Sequence, residues 1–321
     1  ILDKTATTMT VTAGKTEGIT YGDSVKYTAT VSRADEGDAD AFTGNVQFYI
    51  DSVESGNRIG ALQPVTTSGE KVSVTADYRK LTAGEHKILA VFTSNSSFED
   101  ATAEVGTSVA KKPLTWDVSE LTASKSEGTA GEVTVYGEIK LEGLLEDGDV
   151  TVKQPEVMKT NGLKSAKAGS FKVEVAPEEG EWEFDPADPK NYTLPEEEPQ
   201  ITAKVNALKE LPNPPEAVDG KSFKLVMEEG ISAVPDGLKN TSFNTPTKIE
   251  QELKRVLTES GVYKEENVAV YDVTLQVSTD EGTTWQEADY TNFPEGGLKV
   301  TLPYPSGTGR YTNNFAAAHM F

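Results

Sequence analysis

The sequence predicts a mainly β protein: tandem β-sandwich domains followed by a β-rich domain with one α-helix. Apolar and polar residues alternate in Val25-Lys-Tyr27-Thr-Ala29-Thr-Val31, Val46-Gln-Phe48-Tyr-Ile50 and His86-Lys-Ile88-Leu-Ala90-Val-Phe92. That period puts Tyr27, Ala29 and Val31 on one face of a half-buried strand. Turn formers separate the runs, at Ala13-Gly14-Lys15, Glu54-Ser-Gly56-Asn57 and Thr82-Ala-Gly84-Glu85. Strands spaced ~8–12 residues apart with turns between them indicate a sandwich. One stretch alone carries a convincing helical period: Ile249, Leu253, Val256 and Leu257 form a single apolar stripe.

The chain has 321 residues, which at ~100–150 residues per domain gives two or three domains. It holds 30 basic and 52 acidic residues, a net charge of −22. Nucleic acid and anionic membrane are excluded as expected partners, because both need clustered Lys and Arg to replace counterions. There is no cysteine, so disulfides, thiolate metal sites and cysteine nucleophiles are ruled out. The two histidines, His86 and His319, leave no room for a histidine-rich metal site. No stretch reaches the ~20 apolar residues of a membrane helix, so no membrane insertion is expected. The first residue is Ile1 and the last seven are mostly apolar, which reads as a fragment of a longer protein.

Two breaks divide the chain. Lys111-Lys112-Pro113 separates two blocks of strands, and Pro212, Pro214 and Pro215 interrupt the second block's end. Closely spaced prolines cannot pair in a central strand and favour an extended linker. The expected domains are therefore 1–112, 113–211 and 212–321, the middle one the most acidic. Like charge is screened beyond ~8 Å at physiological salt, and the mild repulsion left over suits beads on a string. In the third domain a helix is expected at about 246–260. Thr247 and Glu250 would form a capping box, and Gly261 would supply a left-handed end. Strands are expected at 268–277, 298–302 and 314–321.

Residues 44–98 resemble the Ig-like repeat of many bacterial surface proteins. The likeness rests on Gly44-Asn-Val46-Gln-Phe48-Tyr49, on Gly60, on Leu81-Thr-Ala83-Gly84-Glu-His86-Lys-Ile88-Leu-Ala90-Val-Phe92, and on Asn95-Ser-Ser-Phe98. The turn at residues 50–58 is longer than the family's short hairpin. The second domain is similar to a related repeat tagged by Tyr-Asp-Gly or Tyr-Gly, here Val135-Tyr136-Gly137, closing on Asn191-Tyr192-Thr193-Leu194. The third resembles, weakly, modules near the C-termini of large surface proteins of gut Firmicutes. These resemblances imply tandem Ig-like β-sandwich domains, the second Ig-like or β-grasp-like, on a Gram-positive, extracellular cell-surface or cell-wall protein. They imply a non-catalytic, monomeric stalk or spacer in adhesion. The alternatives are a glycan- or host-protein-binding module in the third domain, and accessory domains of a larger secreted enzyme.

Several local motifs have plain structural readings. Ser278-Thr-Asp280-Glu-Gly282-Thr-Thr284-Trp285 resembles the Asp-box hairpin of sialidase propellers, a turn remote from catalysis. One copy does not make a propeller, so a stable hairpin is expected. The acidic run containing Asp35, Asp38 and Asp40 is a weak calcium candidate, since hard cations want six to eight oxygens; no other cofactor is expected. His86 opens an alternating strand and is expected to be structural. No nucleophile–base pair or phosphate loop is recognisable, and no enzyme activity is expected. The aromatic residues Tyr290, Phe293, Tyr304 and Tyr311 lie in a Pro-rich stretch and are the candidate ligand-binding residues, for glycans or host extracellular proteins.

Overall fold

The computed structural model describes residues 4–35, 42–95, 98–164, 167–259, 261, 264–289, 291–294 and 298–304. The protein is mainly β, with several discrete sheets and a single α-helix near the C-terminal end of the described residues. The chain divides into two compact units. One comprises residues 1–116, 141–152 and 183–196, and the other residues 117–140, 153–182 and 197–321.

The first unit is a β-sandwich. Its strands are β1 (Thr7–Ala13), β2 (Ile19–Thr20), β3 (Val25–Arg33), β4 (Gly44–Ile50), β5 (Arg58–Val65), β6 (Glu70–Ala76), β7 (Gly84–Ser94) and β8 (Ala101–Ala110). One sheet has the order β1-β3-β6, the other β2-β8-β7-β4-β5. The alternating runs supply the facing surfaces. Tyr27, Ala29, Val31, Val72 and Val74 from one sheet meet Val46, Phe48, Ile88, Ala90 and Phe92 from the other in one buried cluster. Phe42 stacks on Phe92 at 5.2 Å between ring centroids and meets Phe98 edge-on. Tyr27 keeps its hydroxyl in this core by sharing a 2.9 Å hydrogen bond with Thr107, as a buried hydroxyl requires.

Later segments complete the same core. Lys112–Pro113 pairs in parallel with Tyr192–Thr193, and Thr151–Val152 antiparallel with Phe184–Asp185. Leu114, Val150 and Tyr192 are buried in the same cluster. Tyr192 donates to Asp149 Oδ2 at 2.6 Å and accepts from the Leu145 amide at 3.0 Å. Burial first, and then the bond to Asp149, hold its phenol well above the ordinary range.

In the second unit a five-stranded sheet has the order Ser124–Ser126, Gln200–Asn206, Gly169–Pro177, Met158–Asn161, Thr134–Val135. Its first neighbours pair in parallel and the rest antiparallel. The Tyr-Gly tag has a steric reason. Tyr136 and Thr122 exchange two backbone hydrogen bonds of 2.8 Å. Gly137 follows at φ 113°, where a Cβ would collide with the Glu120 carbonyl oxygen, so only glycine fits. An antiparallel four-stranded sheet runs Lys209–Leu211, Ser222–Glu229, Tyr271–Ser278, Gln286–Glu287. Phe223, Leu225, Met227, Leu275 and Val277 form the core on one of its faces.

Helix α1 (Pro246–Thr258) lies where the stripe predicts it, but its cap differs. Thr245, not Thr247, caps it by accepting from the Lys248 amide at 3.2 Å. Pro246 takes the first helical position, where its missing N–H costs nothing. Glu250 is thereby freed from a capping box and accepts from the Ile231 amide at 2.9 Å. Of the predicted stripe Ile249 is buried, Leu253 and Leu257 are half-buried, and Val256 is exposed. Gly261 adopts the expected left-handed φ, 70°. Residues 298–302 form no strand; Leu298 packs on the sheet core while Val300 and Leu302 stay exposed. The expected strand at 314–321 and His319 lie outside the described residues.

Candidate functional site

A cleft of about 540 Å³ lies in the second unit, among the ends of strands Gly169–Pro177, Gln200–Asn206 and Ser222–Glu229 and residues 303–304. The local sequence explains its chemistry. Along Gln200–Asn206 the buried residues alternate as Ile201, Ala203 and Val205, which turns Lys204 out to solvent. Asn206 breaks the alternation and is 4% exposed. Its Nδ2 donates to Ser232 Oγ at 2.8 Å, while its Oδ1 is buried without a donor. Lys209 stands opposite Met227, and Glu229 opposite Tyr271, in the neighbouring sheet. Tyr271 is half-buried against the sheet core, and Tyr304 is exposed. The lining thus joins two ammonium groups, one carboxylate, one buried amide and two phenol rings. Ser170 lines the same wall and stands opposite Lys204 in the register.

Of the four aromatic residues singled out in the sequence, Tyr304 lines this cleft. Phe293 is exposed and does not line it. Tyr290 and Tyr311 lie outside the described residues. Tyr271, Lys204, Asn206 and Lys209 went unnoticed in the sequence. The one signal for them was the polar Asn206 at the apolar position of an alternating strand.

Other residues singled out in the sequence make local contacts. Asp35 accepts from Arg33 Nε at 2.7 Å, and Asp38 and Asp40 lie outside the described residues. Among the described residues no group of three or more His, Asp or Glu side chains is arranged to hold a metal ion. His86 donates through Nε2 to the Thr82 carbonyl at 2.8 Å, and its Nδ1 lies 3.0 Å from Asp51 Oδ2. The ring thus ties Asp51 to Thr82. The Asp-box sequence is a turn. Asp280 accepts from the Thr284 hydroxyl at 2.6 Å, the Thr284 amide at 2.8 Å and Ser278 Oγ at 2.7 Å. These bonds pull its carboxyl down to about 2. Gly282 sits at φ 86° with Trp285 beside it, and the Lys224 ammonium lies 4.4 Å from the Trp285 ring centroid.

The face of the four-stranded sheet opposite its apolar core carries a buried acid pair. Glu228, 3% exposed, stands opposite Asp272 in the register. Neither Glu228 oxygen has a hydrogen-bond partner. Burial, and then the charges of Glu228 and Glu287, push the Asp272 carboxyl up to about 6.

No family model matches the chain, and no curated protein is significantly similar to it. Solved structures of modular β proteins overlap it loosely. The CARDB domain of the PF1109 protein from Pyrococcus furiosus, solved with di-metal ions, aligns at 17% identity and a TM-score of 0.26, covering 34% of this chain and 97% of that one. The fibronectin(III)-like modules of Clostridium thermocellum CbhA align at 16% identity and a TM-score of 0.20, covering 61% and 94%. Sidekick-1 immunoglobulin domains 1–5 align at 9% identity and a TM-score of 0.26, covering 86% and 57%. Overlap this loose carries no inference about family or activity.

Proposed function

We propose that the chain is a non-catalytic, load-bearing spacer of an extracellular surface protein. One observation carries the reading: short parallel pairs join an earlier segment of the chain to a later one. In the first unit Ile19 and Thr20 pair in parallel with Val109 and Ala110, and Lys112–Pro113 pairs in parallel with Tyr192–Thr193. In the second unit Ser124–Ser126 pairs in parallel with the end of Gln200–Asn206. In a parallel pair, tension entering at the start of one strand and leaving at the end of the other acts along the strands. The bonds are then sheared together, whereas an antiparallel hairpin pulled at its open end unzips one bond at a time. Forced unfolding depends on the unfolding rate, so this pairing raises resistance to pulling without needing a large equilibrium stability. The Ig-like resemblance of residues 44–98 supports an extracellular, wall-attached setting.

Single-molecule pulling on the full chain through its termini tests the reading. Glu127→Pro removes the 2.8 Å bond from its amide to the Asn206 carbonyl, and Lys112→Pro the 2.9 Å bond to Asn191. Each variant is expected to lower an unfolding force while leaving the thermal melt nearly in place. Forces unchanged in both variants would sink the spacer reading.

A further inference from the structure

We propose that the cleft of the second unit binds a carboxylated saccharide, of the uronic- or sialic-acid type. Its volume, about 540 Å³, falls in the ~300–1,000 Å³ range of small-ligand sites. Tyr271 and Tyr304 line it, and a tyrosine side chain, apolar in its ring and polar at its tip, suits an amphipathic pyranose.

The charge of the lining selects an anion. Lys204 and Lys209 stand against the single acid Glu229, so the cleft is locally positive in a chain of net charge −22. Neither lysine makes an ion pair among the described residues, so both ammonium groups are available to a carboxylate. No arginine lines the cleft among the described residues, so the planar fork that grips phosphate in two places is missing.

An extended peptide fits less well. Gln200–Asn206 is already paired on both sides, and the one free edge at the cleft is the three-residue strand Lys209–Leu211.

The test is isothermal titration of the full chain with a galacturonic acid tetrasaccharide, with cellotetraose and an acidic tetrapeptide as comparisons. Saturable binding of the uronic acid chain is expected, at least about tenfold tighter than either comparison. Raising the salt should weaken it. Tyr304→Ala and the double variant Lys204→Gln/Lys209→Gln should each weaken it about tenfold, while Lys71→Gln on the first unit leaves it unchanged. These side chains are exposed, so thermal melts should match the parent. The proposal is overturned by an absence of saturable binding, by affinities that ignore the cleft variants, or by equal binding of the peptide. None of these outcomes touches the pulling behaviour, so the spacer reading stands or falls separately.

Discussion

The first unit's sandwich and the second unit's two main sheets handle polar groups in opposite ways. In the first unit Tyr27, Phe42, Phe48 and Phe92 are fully buried, and Thr7 Oγ1 is its one buried side-chain polar atom without a partner among the described residues. The second unit leaves Asn206 Oδ1 and both oxygens of Glu228 buried and unpartnered. A buried charge without partners opposes folding by several kcal/mol before relaxation. The sandwich is therefore optimised for packing, whereas the second unit's sheets carry polar groups that stability alone does not ask for.

The contrast can be broken most sharply in the cores. Phe48→Ala empties a site that is 0% exposed and should cost about 3–5 kcal/mol. Phe223→Ala, at 8% exposed on a smaller core, should cost less; two-transition calorimetry or urea melts read both. Equal losses would show that the sheet is packed as tightly as the sandwich.

The acid pair gives the next effect. The Asp272 carboxyl is raised from 3.8 to about 6, so the folded state favours its protonated form. Stability is therefore fully present below pH 4 and declines as pH rises through 6. Asp272→Asn should remove that decline and raise stability at pH 7 by roughly 2–3 kcal/mol. A melting profile whose slope between pH 4 and 7 is the same in the variant would contradict this. Glu228→Gln should move the Asp272 titration part of the way back toward the ordinary range.

The smallest effect belongs to the Asp280 turn. Its carboxyl is held down to about 2 by Thr284 and Ser278, so its contribution is present above pH 3.8 and lost as pH falls through 2. Asp280→Ala should speed hydrogen exchange at the Thr284 amide and leave the global melt unchanged, since the group is on the surface.

What was legible in the sequence follows the same divide. Period-two alternation located β3, β4 and β7, because one face of each meets a deep core. The turn at Asp280 was legible because its bonds are local, within four residues. The cap of α1 lies two residues before the expected one, because Thr247 and Glu250 match the box while Pro246 moves the start to Thr245. The alternation at 298–302 predicted a strand that does not form, since Leu298 alone finds a core to pack on. The cleft was nearly invisible: its residues come from positions 169 to 304, and of them Tyr304 alone stood out.

The discontinuity of the first unit also sets a clock. Residues 183–196 belong to it, and Tyr192 lies in its core. On the ribosome the sandwich therefore stays incomplete until residue 196 has left the exit tunnel. At ~5–20 residues per second, the residues separating 116 from 196 take roughly 4–16 s to make. During that interval the core surface awaiting Tyr192 is exposed.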